Sequence, residues 1–276
     1  MYSANETYCG SLTEITRSLW KPLIPNLDEI SLKILRFYAE EPGKELSLYK
    51  ASKETGLNIA TVYKRGRILA SMRLLEYLDK YFRANSKTCL ALYAYEMMGP
   101  RRLYECLQSI WGFSGVSEHE LLSFLALLAY SISLRGLNIA NANICLLDEA
   151  SLHVIRLYRL ISVLGLRPKK LVCRGVGGED KEFTPIGLFS KIIGLPKDIV
   201  IPAIRFALRG INDLLPPTIV TERHKVWLRI TNGGYRILLV ECKSSCRHYD
   251  EDLGLSCPLV IGEVENVFRR QLLERG

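Results

Sequence analysis

The segment from Leu46 to Tyr95 most strongly limits the folds that this chain can adopt, because short apolar runs alternate there with glycine and basic residues. Leu48 and Ala51 begin a short predicted helix. It ends at Gly56, in a tight turn where a residue with positive φ costs least. Asn58 then predicts the start of a second helix, since its side chain can accept a bond from the first-turn N–H groups.

The second predicted helix is basic on its outer side. Val62 and Leu69 are spaced to point inward, with Ile59 at the margin of that face. The residues predicted to point outward are Thr61, Tyr63, Lys64, Arg65 and Arg67. Gly66 interrupts the helix at a cost of about 1 kcal/mol against Ala, which favours close approach of a neighbouring helix.

Two apolar, β-prone runs follow this helix, from Leu75 to Phe82 and from Thr88 to Tyr95. The turn-rich residues 83–87 join them, and this pattern predicts a hairpin. Arg83 and Lys87 would then lie at its basic tip.

This order of helix, glycine turn, basic helix and basic hairpin resembles the winged helix-turn-helix family. The residues that match its T-G-L-x-x-x-T-V-Y core are Thr55, Gly56, Leu57, Thr61, Val62 and Tyr63. The resemblance implies that the second helix enters the major groove while the wing contacts the backbone or minor groove. The DNA-binding residues it implies are Asn58, Thr61, Tyr63, Lys64, Arg65, Arg67, Arg83 and Lys87. The alternative is a helical pair with a hairpin that binds only protein.

Charge and hydropathy are compatible with a polyanion partner. The chain has 276 residues, a formal net charge of +8 and a pI near 9. Its first residues lack a basic-then-apolar signal pattern. The longest apolar run, Leu121 to Leu134, is too short to cross a bilayer and predicts a buried helix. We therefore expect a cytoplasmic protein with no membrane partner.

Pro22 and Pro25 precede the first predicted helix, and Met98-Gly99-Pro100 follows the hairpin. The predicted domains are an extension over residues 1–26, a winged helix-turn-helix over 27–98 and a second domain over 99–276. The elements predicted in the second domain are a helix from Ser117 to about Gly136, a strand-like run from Asn138 to Leu147, a helix from Asp148 to Leu164, short strands at Lys169–Gly175 and Lys181–Phe183, helices at Pro185–Ile193 and Ile199–Leu215, and a hairpin that turns at Asn232-Gly233.

Two segments of the second domain resemble the LAGLIDADG motif of homing endonucleases. Leu128 to Gly136 reads L-A-Y-S-I-S-L-R-G, and Leu208 to Pro216 reads L-R-G-I-N-D-L-L-P. Each is predicted to end a helix and to precede strand-like sequence. The resemblance implies an α+β fold, in which a winged helix-turn-helix is followed by an α/β saddle of LAGLIDADG type. The alternative is an ordinary helix that ends at glycine.

In the LAGLIDADG family the eighth motif position holds the metal-binding acid, but this chain has Arg135 and Leu215 there. Neither can supply the oxygen ligands that Mg²⁺ demands, so the resemblance implies a non-enzymatic DNA surface with no catalytic residue. Asp213 is then a local cap. The basic residues that would track phosphates are Lys169, Lys170, Arg174, Arg223, Lys225, Arg229 and Arg236. In the alternative reading most of these form a solvated face.

The cysteines divide into two groups. Those in apolar stretches are predicted to pack as buried thiols: Cys89, Cys106, Cys145 and Cys173. Cys242, Cys246 and Cys257, with His248 nearby, could be free thiols, a disulfide or metal ligands. We predict no cofactor and no metal.

The sequence therefore predicts a protein that binds double-stranded DNA, most simply a transcription regulator. Alternatives are an active homing-type endonuclease that uses Asp148, Glu149 or Asp213, a ligand- or metal-sensing regulator, and a replication-origin-binding protein. Both a homodimer and a two-lobed monomer are compatible with the sequence, which shows no heptad seam.

Overall fold

The computed structural model combines helices with small antiparallel sheets, so an α+β chain is confirmed at that level. The residues that it describes are 11–165, 172–174, 180–182, 185–211, 217–222, 224–231, 234–242, 262–264 and 266. The chain divides into two compact units, one formed by residues 9–154 and the other by the chain from residue 155 onward together with residues 1–8. The boundary expected after Met98 falls inside the first of these units.

The first unit begins with helices, and a short strand separates the second helix from the third. The helices are α1 (Leu12–Trp20), α2 (Glu29–Glu40), α3 (Leu48–Thr55), α4 (Ile59–Ser71), α5 (Ser86–Ala94), α6 (Pro100–Trp111), α7 (Glu118–Leu134) and the start of α8 (Leu147–Gly165). The strands are β1 (Leu46–Ser47), β2 (Leu75–Leu78) and β3 (Tyr81–Ala84). The helix expected after Pro22 and Pro25 is confirmed as α2, and α1 lies in the segment predicted to be an N-terminal extension.

The three strands form one antiparallel sheet in the order β1-β3-β2. Leu46 pairs with Phe82, while Leu75 pairs with Ala84 across the β2–β3 hairpin. All four side chains are buried. The sheet therefore closes the α2–α3–α4 cluster on one side. Strand β1 was not predicted, because two residues are too few to show an alternating pattern.

The prediction of a second wing strand from Thr88 to Tyr95 was wrong, because these residues belong mainly to α5. Asn85 caps this helix by accepting bonds from the backbone N–H groups of Lys87 and Thr88, at 2.9 and 3.2 Å. Every residue of α5 is buried, as expected for its apolar part from Cys89 to Ala94, although its first turn is polar. The hairpin is consequently shorter than expected and turns at Asp79-Lys80 rather than over residues 83–87.

Around α5 the first unit is held by hydrogen bonds that reach across the sequence. The indole N–H of Trp20 donates to the Leu125 carbonyl at 3.1 Å, which fixes α1 against α7. The Tyr93 hydroxyl donates to the Thr13 carbonyl at 3.1 Å. Trp20, Leu125 and Tyr93 are fully buried, so these bonds satisfy polar groups that water cannot reach.

The strand predicted from Asn138 to Leu147 is also wrong, since residues 137–146 form turns between α7 and α8. Asn138 uses its side chain to accept bonds from the N–H groups of Ala140 and Asn141. Such local bonding competes with a strand ladder. Ile139, Ala142 and Ile144 are nevertheless buried, so the apolar residues of this loop pack inward without forming a strand.

The C-terminal turn of α5 carries avoidable strain, because Glu96 adopts a left-handed φ of 61°. The bonds from Met97 N to Leu92 O and from Glu96 N to Tyr93 O form the 6→1 and 5→2 pair that ends many helices, usually around glycine. We expect Glu96→Gly to stabilise the fold by about 1 kcal/mol, because it removes this strain and a negative charge at the negative end of the helix dipole.

Thermal unfolding would test this prediction, with Arg73→Gly as its matched control. Arg73 has φ 57° at the equivalent position after α4. It carries a positive charge that the helix dipole favours, so its gain should be smaller. A lower melting temperature for Glu96→Gly than for the unmodified chain would contradict the argument.

In the second unit the structure describes the rest of α8 and several separate elements. They are β4 (Val172–Arg174), β5 (Asp180–Glu182), α9 (Pro185–Ile193), α10 (Lys197–Gly210), β6 (Ile219–Val220), β7 (His224–Thr231) and β8 (Gly234–Cys242). Antiparallel pairs join β4 to β5 and β6 to β7 to β8. The helix predictions for α8 and α9 and the last hairpin are confirmed, whereas α10 ends earlier than the predicted Leu215.

Candidate nucleic-acid interface

Helix α4 is positioned by local signals that the sequence shows directly. Asn58 caps it by accepting a bond from the Ala60 N–H at 2.9 Å, as predicted. The preceding Gly56 has φ 68°, which confirms the predicted turn. Val62 and Leu69 are fully buried as predicted, whereas Ile59, which was placed at the margin of the inward face, is 46% exposed.

Close packing against α3 fixes how α4 is presented. A Cβ added to Gly66 would lie 2.7 Å from Cδ2 of Leu48 on α3. This confirms that the glycine permits a close helix–helix approach, which offsets its poor helix propensity. The face opposite Gly66, Val62 and Leu69 is therefore turned outward.

Two basic side chains, those of Lys64 and Arg67, lie on that outward face. Lys64 and Arg67 are exposed, and within residues 11–165 neither forms an ion pair with an acidic side chain. Helix α4 itself contains no acidic residue. Thr61 is half-buried and Tyr63 is 53% exposed at the edges of the same face. These residues make an electropositive helix surface of the kind that attracts phosphate.

Arg65 is held differently from its two basic neighbours. Its guanidinium forms an ion pair of 2.5 Å with Asp28, the residue that caps α2. The carboxylate of Asp28 also accepts a bond from the Ser31 N–H at 2.8 Å. Hydrogen bonding from Ser31, reinforced by the charge of Arg65, lowers the pKa of Asp28. Arg65 is therefore directed toward α2.

Arg83 lies on strand β3 and not at the tip of the hairpin as predicted. It forms an ion pair with Glu76 at 2.7 Å across the β2–β3 pair, and Glu45 lies at 4.0 Å. These acids neutralise much of its charge. Lys80 occupies the turn instead, next to Asp79, and both are exposed.

The prediction that Lys87 contacts DNA was wrong, because Lys87 lies in the first turn of α5 and is only 1% exposed. Its ammonium group donates to the Ala140 carbonyl at 3.3 Å. Burial lowers the pKa of Lys87, with Cys145 and Glu149 opposing this change and Arg73 adding to it. A residue that the fold encloses on all sides cannot reach a phosphate.

The buried lysine leads to a prediction about alkaline pH. Its pKa in the folded chain lies below the unfolded value of 10.5, so the unfolded chain binds more protons in that interval. The contribution of Lys87 to stability should therefore rise with pH from its folded pKa up to about 10.5, against the fall caused by Tyr38 and Tyr93, whose pKa burial raises. Lys87→Met should remove this rise. The urea midpoint measured across the alkaline range would show it, with the exposed Lys33→Met as control. An unchanged alkaline slope in Lys87→Met would contradict the assignment.

Arg67 links the outward face of α4 to the hairpin through two tyrosines. Its Nη2 donates to the hydroxyl of Tyr63 at 3.1 Å and to that of Tyr77 at 3.4 Å. The Arg67 Cζ also lies 5.3 Å from the ring centroid of Tyr63 and 4.6 Å from that of Tyr77, within the range of cation–π attraction.

We call Tyr63, Arg67 and Tyr77 the tyrosine–arginine cluster. Tyr63 and Tyr77 remain 53% and 43% exposed, so a partner can reach them. Sequence reasoning missed Tyr77. Tyr77 is two residues after the buried Leu75 and pairs with Phe82, so the alternating pattern predicts a buried side chain. It is exposed because it lies close to the hairpin turn.

For the second unit, the structure gives strand positions for part of the predicted basic set. Arg229 and Arg236 are Cα partners on β7 and β8, and Arg174 pairs with Asp180 between β4 and β5. Lys225 is half-buried on β7. Lys169, Lys170 and Arg223 lie outside the described residues, as does the Asp213 considered as a cap.

The first LAGLIDADG-like segment ends α7 as expected. Gly136 follows the helix with φ 66°, but turns rather than a strand come next. Nη1 of Arg135 lies 3.0 Å from Nδ1 of His153. The second segment begins in α10, and its residues 212–216, which include Leu215, lie outside the described part. Helix α7 belongs to the first compact unit, and α10, in which the second segment begins, belongs to the other.

Two cysteine predictions are corrected. Cys89 and Cys106 form a disulfide between α5 and α6 instead of packing as free thiols, and Cys145 is exposed. Among the described residues no group of three or more His, Cys, Asp or Glu side chains could hold a metal ion. Cys242 ends β8, whereas Cys246, Cys257 and His248 lie outside those residues.

His224, the first residue of β7, pairs with Glu263, whose side chain is 28% exposed. Nδ1 of His224 lies 2.9 Å from Oε2 of Glu263, and the Thr221 hydroxyl donates to the same oxygen at 3.2 Å. His224 is fully buried. The pair secures the strand to the segment around residue 263, and sequence reasoning had no signal for it.

No helix within the described residues has the length and hydropathy needed to span a membrane. Comparison with protein-family models, with curated proteins and with solved structures found no match to the chain.

Proposed function

We propose that this chain binds double-stranded DNA through the outward face of α4 and the β2–β3 hairpin, and that it acts as a transcription regulator of the winged-helix type. The observation that carries the proposal is the pairing pattern of the basic residues. Arg65 and Arg83 are bound to carboxylates, whereas Lys64 and Arg67 are presented outward on a helix without acidic residues.

The order of elements supports the same proposal. Helix α2, strand β1, helices α3 and α4 and the β2–β3 hairpin follow one another, and the sheet order is β1-β3-β2. This is the arrangement in which a winged-helix domain would present the last of these helices, α4, to the major groove and its hairpin to the flanking backbone. Fold alone does not establish function, so the exposed basic residues are the stronger argument.

Over residues 46–84 the chain has eight lysines and arginines and three acidic residues. Such a balance favours a polyanion over a neutral protein partner. A second DNA-binding surface, on the β7–β8 hairpin, is supported only by the positions of Arg229 and Arg236, which are Cα partners there.

Fluorescence anisotropy with the full chain tests this proposal. A labelled duplex of mixed sequence and its separate single strands would be titrated over a salt series from about 50 to 200 mM. We expect the duplex to bind more tightly, with log K falling linearly against log salt. Absence of duplex binding at the lowest salt, or stronger binding of the single strands, would overturn the proposal and favour a protein-binding role.

A further inference from the structure

A cavity of about 570 Å³ opens between the β2–β3 hairpin, the end of α4, helix α6 and the loop before α8. We call it the hairpin cavity. All of its lining residues belong to the first compact unit, and neither Lys64 nor Arg67 is among them. Sites for small molecules usually have volumes of about 300–1,000 Å³, so this cavity is large enough for such a ligand.

Much of the wall of the hairpin cavity is apolar. Leu75 is buried in it and Ile110 is half-buried. Tyr77 and Leu146 also line it, although they are 43% and 61% exposed. A ligand with an apolar body would cover these two side chains, and removing their apolar surface from water would favour binding.

The charged groups of the cavity do not cancel. Arg83 is paired with Glu76 at 2.7 Å, whereas Arg73 forms no ion pair with an acidic side chain in the part of the chain that the structure describes. Two arginines and one glutamate therefore leave one net positive charge on the lining. The buried Asn85 donates from Nδ2 to the Arg73 carbonyl at 3.3 Å, which anchors this arginine's backbone at the cavity.

Cys145 lines the cavity as well but adds no negative charge to it. Shielding of its sulfur from water raises the pKa of the Cys145 thiol above the ordinary value, although the residue as a whole is exposed. The thiol is consequently neutral near pH 7.

We propose that the hairpin cavity binds a small organic monoanion, with a carboxylate beside Arg73 and an apolar body against Tyr77, Ile110 and Leu146. The single net positive charge matches one carboxylate. A ligand with several phosphate groups would bring excess negative charge against Glu76, and a neutral apolar compound would gain nothing from Arg73.

The position of the cavity connects such a ligand to the tyrosine–arginine cluster. Tyr77 lines the cavity, and its hydroxyl accepts a bond from Arg67 at 3.4 Å. A bound ligand would therefore contact the hairpin that faces the duplex in the proposed function. Ligand and duplex should change each other's affinity by the same factor, at least about 5-fold for coupled sites. This regulatory step rests on the proposed function, whereas binding of the ligand does not.

Isothermal titration calorimetry of the full chain without DNA tests the site. The probes are 1-naphthaleneacetate, 4-phenylbutyrate and octanoate, each compared with its neutral amide. We expect at least one carboxylate to bind, and its amide to bind about 5-fold more weakly, the upper range for a contact with an exposed charge. Failure of all three carboxylates at millimolar concentration, or equal binding of each carboxylate and its amide, would overturn the proposal.

Two variants test where the probe lies. Arg73→Gln should bind carboxylate and amide equally, while Arg36→Gln, which removes an exposed charge from α2, should keep the preference for the carboxylate. Ser109 is an exposed residue of α6 that lines the cavity. Ser109→Trp should fill the cavity without changing its charge, and so abolish binding of both forms. Circular dichroism melting would confirm that each variant is folded. Unchanged binding in both Arg73→Gln and Ser109→Trp would refute the assignment.

Cys145 supplies an independent measure of occupancy. Its rate of labelling by a maleimide, followed by peptide mass spectrometry, should fall in proportion to the fraction of chain that holds the probe. Labelling at the same rate with the probe bound would place the ligand outside this cavity.

Duplex binding measured by anisotropy at saturating probe completes the test and separates the two proposals. If the chain binds the probe but no duplex, the proposed function alone is wrong. If it binds duplex but none of the probes, the cavity assignment alone is wrong. A duplex affinity that the bound probe leaves unchanged would overturn the regulatory step.

Discussion

Replacing Lys64 and Arg67 together by alanine should weaken binding to duplex DNA by roughly 100-fold, since a base-edge contact contributes about 1–3 kcal/mol and a phosphate contact adds to it. Both side chains are exposed on α4 without a carboxylate partner in residues 11–165, so their charge is available to the duplex. Loss of the phosphate contact should also reduce the slope of log K against log salt by about 1.

The control for this double variant is Arg101→Ala/Arg102→Ala. It removes two positive charges from exposed positions on α6, where both arginines interact with Glu105. The net charge of the chain falls equally in the two proteins, so a general electrostatic effect would weaken both to the same extent. An equal loss of duplex affinity in the two double variants would show that α4 is not part of the DNA interface.

Arg65→Ala provides a finer comparison on the same helix. Because Arg65 is paired with Asp28, we expect its loss to weaken duplex binding less than the loss of Lys64. A larger loss for Arg65→Ala would mean that the ion pair opens when DNA binds and that Asp28 competes with phosphate for the guanidinium.

The parts of this interface that could be predicted from sequence are those set by neighbours along the chain. The glycine turn at Gly56, the cap at Asn58 and the inward positions Val62 and Leu69 each depend on contacts within a few residues. Local hydrogen bonding and apolar spacing are sufficient to fix such features. This is why α4 begins where the pattern indicates.

Features that depend on distant residues were not predictable in this way. Asp28 lies 37 residues before Arg65, and no sequence pattern indicates that the two form an ion pair. We predicted Lys87 to be an exposed wing residue, because lysine side chains are almost always exposed to solvent. Its burial follows from the packing of α5 beneath the loop that contains Ala140.

The mistaken wing strand has a different cause. The run from Thr88 to Tyr95 is continuously apolar, and periodicity cannot distinguish a buried strand from a buried helix in so short a segment. Asn85 and Thr88 decide the matter, because they make the reciprocal side-chain bonds of a helix cap. We had assigned Asn85 to a turn over residues 83–87, because asparagine is common in turns as well as at helix caps.

Removing the disulfide between Cys89 and Cys106 should have the largest effect on stability. The bond joins α5 to α6 across a sequence separation of 17 residues, and both cysteines are buried. Restricting an unfolded loop of this length contributes about 3 kcal/mol in the chain-entropy treatment. Cys89→Ala/Cys106→Ala should therefore lower the melting temperature by roughly 10 °C for a unit of this size. Alanine is preferred to serine, which would bury an extra hydroxyl.

Thermal unfolding with and without a thiol reductant completes the experiment. Reductant should destabilise the unmodified chain and leave the double variant unaffected, while Cys145→Ala, which removes the exposed free thiol, should respond as the unmodified chain does. Asn85, which caps α5, directly follows strand β3. Unfolding of α5 should therefore also destabilise β3 and the hairpin. Duplex affinity should accordingly fall on reduction only near the melting range. A loss of affinity at low temperature, with the fold intact, would instead show that this bond controls the hairpin directly.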